Sequence, residues 1–325
     1  MWDLQHHWYR RSLSWLTFFL LPFSYIFRFI VILRLFLYKH TILKIIHFPV
    51  PIIVIGNLTV GGTGKTPLVI CLAHFLKAQG WRPGIVSRGS GGKKQVVPLW
   101  VDAQAEPVRV GDEALLLARH STCPVVICID RVAAVKELLN KTNCDVVLAD
   151  DGLQHYRLGR RIEIAVLDGD RKWGNGFLLP AGPLREAPHR LNRVDFIVQQ
   201  GGGHESAYFQ MRLQGNEFVS IIDLHKRCAL TDFNKTKIHA VAGIGNPQRF
   251  FTTLRESGLD IIEHIFPDHY LYQEKDFNFP DQLPIVMTEK DKVKCEVFAD
   301  DRFWYLPVVA VVPEKLKNEL LSKLS

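Results

Sequence analysis

Lys65 and Thr66 close a glycine-rich run, Thr59-Val60-Gly61-Gly62-Thr63-Gly64-Lys65-Thr66, that follows the apolar stretch Ile52–Ile55. Glycines at 61, 62 and 64 let successive backbone N–H groups turn toward one point. A helix starting directly afterwards adds the positive end of its dipole, so the run is suited to cradling phosphate oxygens. In such a phosphate loop the Lys65 ammonium would span the β- and γ-phosphates of ATP, and the Thr66 hydroxyl would ligate Mg²⁺. The loop is a variant, because the usual pattern places a glycine where this chain has Thr59. A second string with chemistry in it is Val146–Ala149 followed by Asp150-Asp151-Gly152. An apolar strand ending in adjacent acids puts a carboxylate at the C-terminal edge of a sheet, where ligands bind in open α/β folds, and supplies a metal ligand. Alone, Asp-Asp-Gly is an ordinary turn; beside Lys65 and Thr66 it completes a site for a nucleoside triphosphate and its metal.

The elements that must position these groups follow from hydrophobic periodicity. β-branched runs at Ile52–Ile55, Gly84–Ser87, Val125–Ile129, Val146–Ala149, Ile162–Leu167 and Phe196–Val198 alternate with helical stretches at Pro67–Gln79, Gly111–Arg119 and Arg131–Asn140, which is the pattern of a parallel sheet. The turn-rich Gly201-Gly202-Gly203-His204 then marks a linker. A second α/β region follows, with Ile238–Ala242, a helix over Pro247–Ser257, Ile261–Ile265 and Pro284–Met287, and Glu314–Leu324 reads as a closing amphipathic helix. The predicted organisation is an N-terminal membrane-associating segment (1–45), a P-loop NTPase-like parallel-sheet α/β domain (46–200), a smaller α/β domain with its linker (201–312) and a C-terminal helix (313–325) that could return to the first domain. With 325 residues, 47% of them apolar, the chain can bury two cores, which excludes disorder, collagen-like fibres and small disulfide scaffolds. Its six cysteines show no CxxC and no paired spacing, so neither a zinc ribbon nor a disulfide framework is indicated.

The net charge is +7, but the first fifty residues hold six basic side chains, Arg10 and Arg11 among them, against Asp3 alone. The excess is therefore local, and nucleic acid is not an expected partner. Between Leu16 and Tyr38 the chain is almost wholly apolar and aromatic. A signal peptide would need a small-residue cleavage site, and none follows. Spanning a bilayer is strained, because Pro22 interrupts the run and Arg28 and Arg34 would enter hydrocarbon at about 2.5 kcal/mol or more each. A helical projection gathers Thr17, Ser24, Arg28 and Lys39 in one sector with Arg34 on its flank, so the helix is expected to lie in the headgroup plane on the cytoplasmic side, arginines on lipid phosphates. The competing reading is the core helix of a soluble domain.

The same loop would serve a membrane-tethered regulatory NTPase switch. A guanine-specific switch should carry Asn/Thr-Lys-x-Asp, and the nearest string, Thr288-Glu289-Lys290-Asp291, has the wrong spacing. Further polar strings stand at loop positions: Ser87-Arg88-Gly89, Gly111-Asp112-Glu113, Asp130-Arg131, Asn175 through Glu186 with its Leu-Pro-Ala-Gly-Pro-Leu-Arg-Glu core, and Phe266-Pro267-Asp268-His269-Tyr270. In their order, together with the variant loop Asn57–Pro67, Asp150–His155 and Thr288–Asp291, they make the chain resemble the tetraacyldisaccharide 4'-kinase family of the bacterial inner membrane over essentially its whole length. Two positions depart from the family's usual forms: Ser90, where an aromatic residue is expected, and Ala114, where proline is frequent.

The resemblance implies transfer of the ATP γ-phosphoryl group to the 4'-hydroxyl of a membrane-embedded tetraacylated disaccharide 1-phosphate in lipid A biosynthesis, at the cytoplasmic face of the inner membrane, peripherally or through a single N-terminal anchor, without an obligate protein partner. It further implies Asp112 as the base for that hydroxyl, with His269 as its dyad partner; nothing in their spacing brings them together. Glu113 and Asp150, supported by Asp151, are implied as partners of Mg²⁺ or its water shell. Arg88, Arg131 and Arg171, with Asn57, are candidates to contact substrate, since arginine's planar fork suits phosphate.

Overall fold

The computed structural model describes residues 7–10, 14–203, 207–233 and 236–324, so Asp3, Arg11 and His204 lie outside the described residues. Eight strands come first in the chain: β1 (Ile52–Gly56), β2 (Pro83–Ser87), β3 (Leu99–Trp100), β4 (Val125–Ile127), β5 (Val146–Asp150), β6 (Ile162–Asp168), β7 (Phe196–Gln200) and β8 (Phe209–Gln214). Seven more follow: β9 (Glu217–Ser220), β10 (Arg227–Ala229), β11 (Ile238–Ala242), β12 (Ile261–Ile265), β13 (Ile285–Thr288), β14 (Phe303–Leu306) and β15 (Val309–Val311).

They form two sheets, of order β15-β8-β7-β6-β1-β5-β2-β4-β3 and β10-β9-β14-β13-β11-β12. In the first sheet β8, β7, β6, β1, β5, β2 and β4 run parallel, with antiparallel edges β3 and β15. β1 lies between β5 and β6, so the chain leaving its C-terminal end enters the crevice where strand order reverses, the ligand-binding position of open α/β sheets.

β1 is buried along its whole length because both faces of its sheet are covered. Ile53 and Ile55 pack with Leu68 and Leu72 of the helix Lys65–Ala78. Ile52 and Val54 face the opposite core, shared with Val132, Val135 and Leu138 of the helix Arg131–Lys141. Burying each such side chain contributes about 1.5–3 kcal/mol, which fixes β1 and with it the start of the loop that follows.

The division of the chain differs from the expected one. β8 and β15 belong to the first sheet, so the second sheet runs only from β9 to β14, and the expected boundary at residue 201 comes too early. Glu314–Leu324 packs Leu316 and Leu320 into the first sheet's core, and Lys323 pairs with Asp195 at 2.8 Å.

The N-terminal helix, Trp15–Lys39, runs unbroken through Pro22, which removes one backbone hydrogen bond without ending the helix. Trp15, Phe18, Phe19, Tyr25, Ile26 and Phe29 are each more than half exposed, which overturns the core-helix reading. The polar sector is divided: its hydroxyls turn to the protein, whereas Arg28, Arg34 and Lys39 stay exposed. Thr17 and Ser24 are the buried residues of this helix, and Ser24 Oγ donates to the carbonyl oxygens of Leu178 and Leu179.

Candidate active site

The loop from Gly56 to Gly64 is held from both sheets. Val60 N–H donates to the Pro183 carbonyl at 2.8 Å, and Asn57 Nδ2 donates to the Gly61 carbonyl at 3.4 Å. Gly64 caps the following helix at φ 83°, a left-handed conformation, and a Cβ there would lie 2.5 Å from Gln200 Oε1. The second sheet's Gly245 comes so close that a Cβ on it would be 2.2 Å from Gly62 N. Arg171 donates to the Gly245 carbonyl and lies 4.7 Å from the Tyr9 ring centroid, so it ties the two sheets together beside the loop. The Thr63 hydroxyl is buried and has no hydrogen-bond partner within the chain.

Lys65 Nζ lies 3.5 Å from Asp151 Oδ1. Asp151, at φ 48°, also accepts from Arg185 Nη1 at 2.9 and 3.0 Å. Burial would raise its pKa, but Lys65 and Arg185 hold it well below the usual carboxylate range. Asp150, the last residue of β5, is fully buried; Oδ2 accepts from Ser87 Oγ at 3.1 Å and Oδ1 has no partner. Burial, then the negative charge of Glu113, pushes Asp150 up to about 7 against the pull of Lys65.

Asp112 opens the helix Asp112–Ser121 after Gly111, and His269 stands in the turn after β12 at φ 60°. The fold brings them together: His269 Nδ1 is 3.0 Å from both carboxylate oxygens of Asp112, which is 2% exposed. Around them Lys290 Nζ donates to Glu113 Oε1 at 3.0 Å and to Asp268 Oδ1 at 3.2 Å, and Lys294 Nζ lies 3.7 Å from Asp112 Oδ2. Burial would raise Asp112, but Lys290, the His269 hydrogen bond and Lys294 bring it below its ordinary value. Burial likewise opposes charge on His269 and Lys290, yet the acids beside each hold both above their ordinary values.

Two concavities approach this centre. The first, with an empty volume of about 1240 Å³, lies between the sheets and is lined by Gly62–Pro67, Glu113 and Lys290, with Ile70, Leu213, Ile244, Phe250 and Val308 forming an apolar end. The second lies under the N-terminal helix, with Phe27, Ile30, Val31 and Arg34 on one wall and Arg88, Asp151, Gln154 and Arg185 on the other. The two approach each other through the Lys65–Asp151 pair, one partner lining each.

Among the expected substrate contacts, Arg88 is exposed in the second groove, but three others are placed differently. Arg131 is 1% exposed, gives Nη1 to the Cys128 carbonyl at 2.5 Å and leaves Nε and Nη2 unpartnered; burial lowers it to about 10 against the fields of Asp151 and Asp150. Asn57 is fully buried as a brace of the loop, and Arg171 is spent on Gly245. Arg131 and Asn57 are both sealed from solvent, Arg131 with two nitrogens and Asn57 with its Oδ1 left without a partner. Sequence reasoning passed over Arg185 and Lys290, although both stand in strings it singled out. Their signal was a cation at a loop or helix start beside residues already suspected. Asp291 of the same string is fully buried, accepting from Gly243 N–H at 3.0 Å and Lys294 at 2.8 Å, and so is not free to read a guanine base.

Among the described residues no three acidic, histidine or cysteine side chains converge to hold a metal by themselves. The oxygen donors nonetheless suit Mg²⁺, which is commonly held by one or two carboxylates plus substrate phosphates, and the orphaned Asp150 Oδ1 is an unfilled acceptor of the right kind.

Comparisons with known proteins agree with this architecture. The family model for tetraacyldisaccharide-1-P 4'-kinase matches residues 16–325. The chain is 49% identical over 304 residues to the tetraacyldisaccharide 4'-kinase of Coxiella burnetii (strain RSA 493 / Nine Mile phase I), covering 94% of this chain and 90% of that protein. It is also 49% identical over 322 residues to the enzyme of the same name from Nitrosococcus oceani, covering 98% and 93%. A crystal structure of the "apo" form of LpxK from Aquifex aeolicus in complex with ATP superposes with a TM-score of 0.78 at 30% identity, covering 95% of this chain and all of that one. With the phosphate loop, the paired acids and the Asp112–His269 contact in one fold, and a match along nearly the whole sequence, the chain belongs to the tetraacyldisaccharide-1-P 4'-kinase family.

Proposed function

We propose that the protein transfers the γ-phosphoryl group of ATP to the 4'-hydroxyl of a tetraacyldisaccharide 1-phosphate in lipid A biosynthesis, working from the cytoplasmic surface of the inner membrane. The observation that carries the reading is the approach of an intersheet cleft and a helix-covered groove through the Lys65–Asp151 pair. A nucleotide in the cleft and a lipid sugar in the groove would bring their reacting ends to the same place. The ATP complex of the Aquifex aeolicus relative supports the nucleotide assignment.

In this reading the first domain is a P-loop NTPase-like unit. The loop N–H groups of residues 59–64 and the start of the helix at Lys65 bind the phosphates, and Lys65 leaves Asp151 to span the β- and γ-oxygens. Asp112 accepts the proton of the 4'-hydroxyl as its oxygen bonds to the γ-phosphorus and the bond to the β-phosphate oxygen breaks, releasing ADP. His269 holds the Asp112 carboxylate in one orientation and, with its raised pKa, keeps a positive charge against it. Lys290 joins the two sheets through Glu113 and Asp268, so it sets the spacing between dyad and cleft. Mg²⁺ entering with ATP would be held by Thr66 and Asp150, with Glu113 beyond them, and would neutralise charge on the transferring phosphoryl group. Arg88 and Arg185 are the arginines placed to meet acceptor phosphate or sugar oxygens.

The N-terminal helix takes the enzyme to its substrate, because lifting acyl chains out of a bilayer costs about 0.8 kcal/mol for each CH₂. A helix whose midpoint hydroxyl is bonded to the loop at Leu178 lies along the protein body and the membrane surface rather than across the bilayer.

The test is to incubate the purified protein with labelled ATP, Mg²⁺ and a detergent-dispersed acylated disaccharide 1-phosphate. A phosphorylated lipid is expected. Nucleotide hydrolysis without lipid phosphorylation would favour the switch reading and overturn this one.

A further inference from the structure

The N-terminal helix borders a second groove, on the side turned away from the Lys65–Asp151 pair. Residues 27, 30 and 34 line the acceptor groove, whereas Arg28, Ile32 and Leu35, about 130° round the helix, line the other, with Val31 shared between them. Its far wall is the 3₁₀ turn Pro188–Arg193, which contributes His189 and Arg193.

The charges in this second groove are unbalanced. Arg28, His189 and Arg193 have no hydrogen-bond or ion-pair partner among the described residues, and all three are exposed. The acid in the groove, Glu186, is 2% exposed; its Oε2 accepts from Tyr156 and lies 3.4 Å from Arg190, which also pairs with Glu163, and its Oε1 is buried without a partner. The groove therefore presents two uncompensated guanidiniums and an imidazole, and it opens beside the exposed face carrying Phe29, Ile32 and Phe36. Apolar side chains at acyl depth with guanidiniums one turn away match the layout of a phospholipid, in which the phosphate sits directly above the chains. Guanidinium forks bind such phosphates in bidentate fashion.

We propose that this groove is a non-substrate lipid site, in which Arg28 and Arg193 hold the phosphate of an anionic glycerophospholipid while its chains lie along the outer face of the helix. The inference rests on the membrane-surface reading of that helix and adds a chemical preference to it: docking is selective for anionic bilayers.

The experiment is vesicle flotation of the full-length protein with phosphatidylcholine alone and with phosphatidylcholine containing phosphatidylglycerol, for the wild type, Arg28→Gln/Arg193→Gln and Arg28→Lys/Arg193→Lys. Neither arginine belongs to the catalytic machinery, so turnover of detergent-dispersed acceptor should be the same in all three and reports that the fold is intact. Wild type is expected to prefer the anionic vesicles. Losing both arginines should weaken that binding by about fivefold per charge, roughly 25-fold together, leave binding to neutral vesicles unchanged, and be largely reversed by the lysine pair. Equal wild-type binding to both vesicle types, or an unaltered preference in the glutamine pair, overturns the lipid site while leaving membrane docking in place. Failure to bind either vesicle overturns both. Displacement from anionic vesicles by millimolar inorganic phosphate at constant ionic strength would assign the groove to a soluble anion and overturn the lipid assignment.

Discussion

Replacing His269 by asparagine isolates the dyad from the rest of the site. Asparagine tolerates the left-handed backbone that His269 adopts at φ 60°, so the change removes the imidazole without adding the strain that alanine would bring. Asp112 is 2% exposed and faces three cationic groups, His269 at 3.0 Å, Lys294 at 3.7 Å and the nearby Lys290. Losing one charge-assisted hydrogen bond while two cations remain should cost about 1.5–3 kcal/mol, or roughly 10- to 100-fold in kcat. Removing the base itself, in Asp112→Asn, should cost more, about 10²- to 10⁴-fold. Because His269 acts only through Asp112, the double variant should be no slower than Asp112→Asn alone. The pH dependence has a definite direction. Asp112 sits below its ordinary pKa partly through the His269 hydrogen bond, and without it burial raises that pKa. The acid limb of the kcat profile should therefore move to higher pH in His269→Asn. The assay is lipid phosphorylation at saturating acceptor over a pH series for the four proteins. Additive losses in the double variant, an effect confined to KM, or an unmoved acid limb would each refute the argument.

Asp150 predicts a trade of stability against function. Its folded pKa of about 7 lies above the ordinary 3.8, so the folded chain retains a proton that the unfolded chain releases; stability falls as pH rises between these values, and the full cost is present above about 7. Asp150→Asn should stabilise the ligand-free protein at mildly basic pH by on the order of 2–4 kcal/mol, and so raise its melting temperature, while abolishing phosphoryl transfer; a lower melting temperature than wild type there contradicts the buried-charge account. Lys290→Met leaves Glu113 and Asp268 without their shared cation. It should lower stability by about 2–4 kcal/mol and reduce kcat, with Lys290→Arg recovering part of both, and unchanged melting and turnover would show that the bridge matters to neither.

How much of the site could be read in advance follows from how local each part is. The phosphate loop and the paired acids are consecutive residues at the ends of buried strands, so strand periodicity, glycine conformational freedom and residue chemistry were enough to locate them. The parallel strands β1, β2, β4, β5, β6 and β7 of the first sheet were legible for the same reason. β3, β8 and β15 were not: β3 and β15 are short edge strands, and β8 is buried at only one of its six positions, so none carries a long apolar run.

What the sequence determined alone is therefore a set of local chemistries: a triphosphate cradle, an acidic strand end and an apolar basic helix. Only tertiary structure decided which of them meet. Asp112 and His269 are 157 residues apart, and no periodicity links positions on different sheets. Nor could a helical projection say which members of the polar sector of the N-terminal helix would turn inward and which would stay exposed. It identifies residues that share a face, but a buried hydroxyl costs free energy wherever it lacks a partner, and it was the carbonyls at Leu178 and Leu179 that drew Ser24 inward and left the aromatic side chains outside.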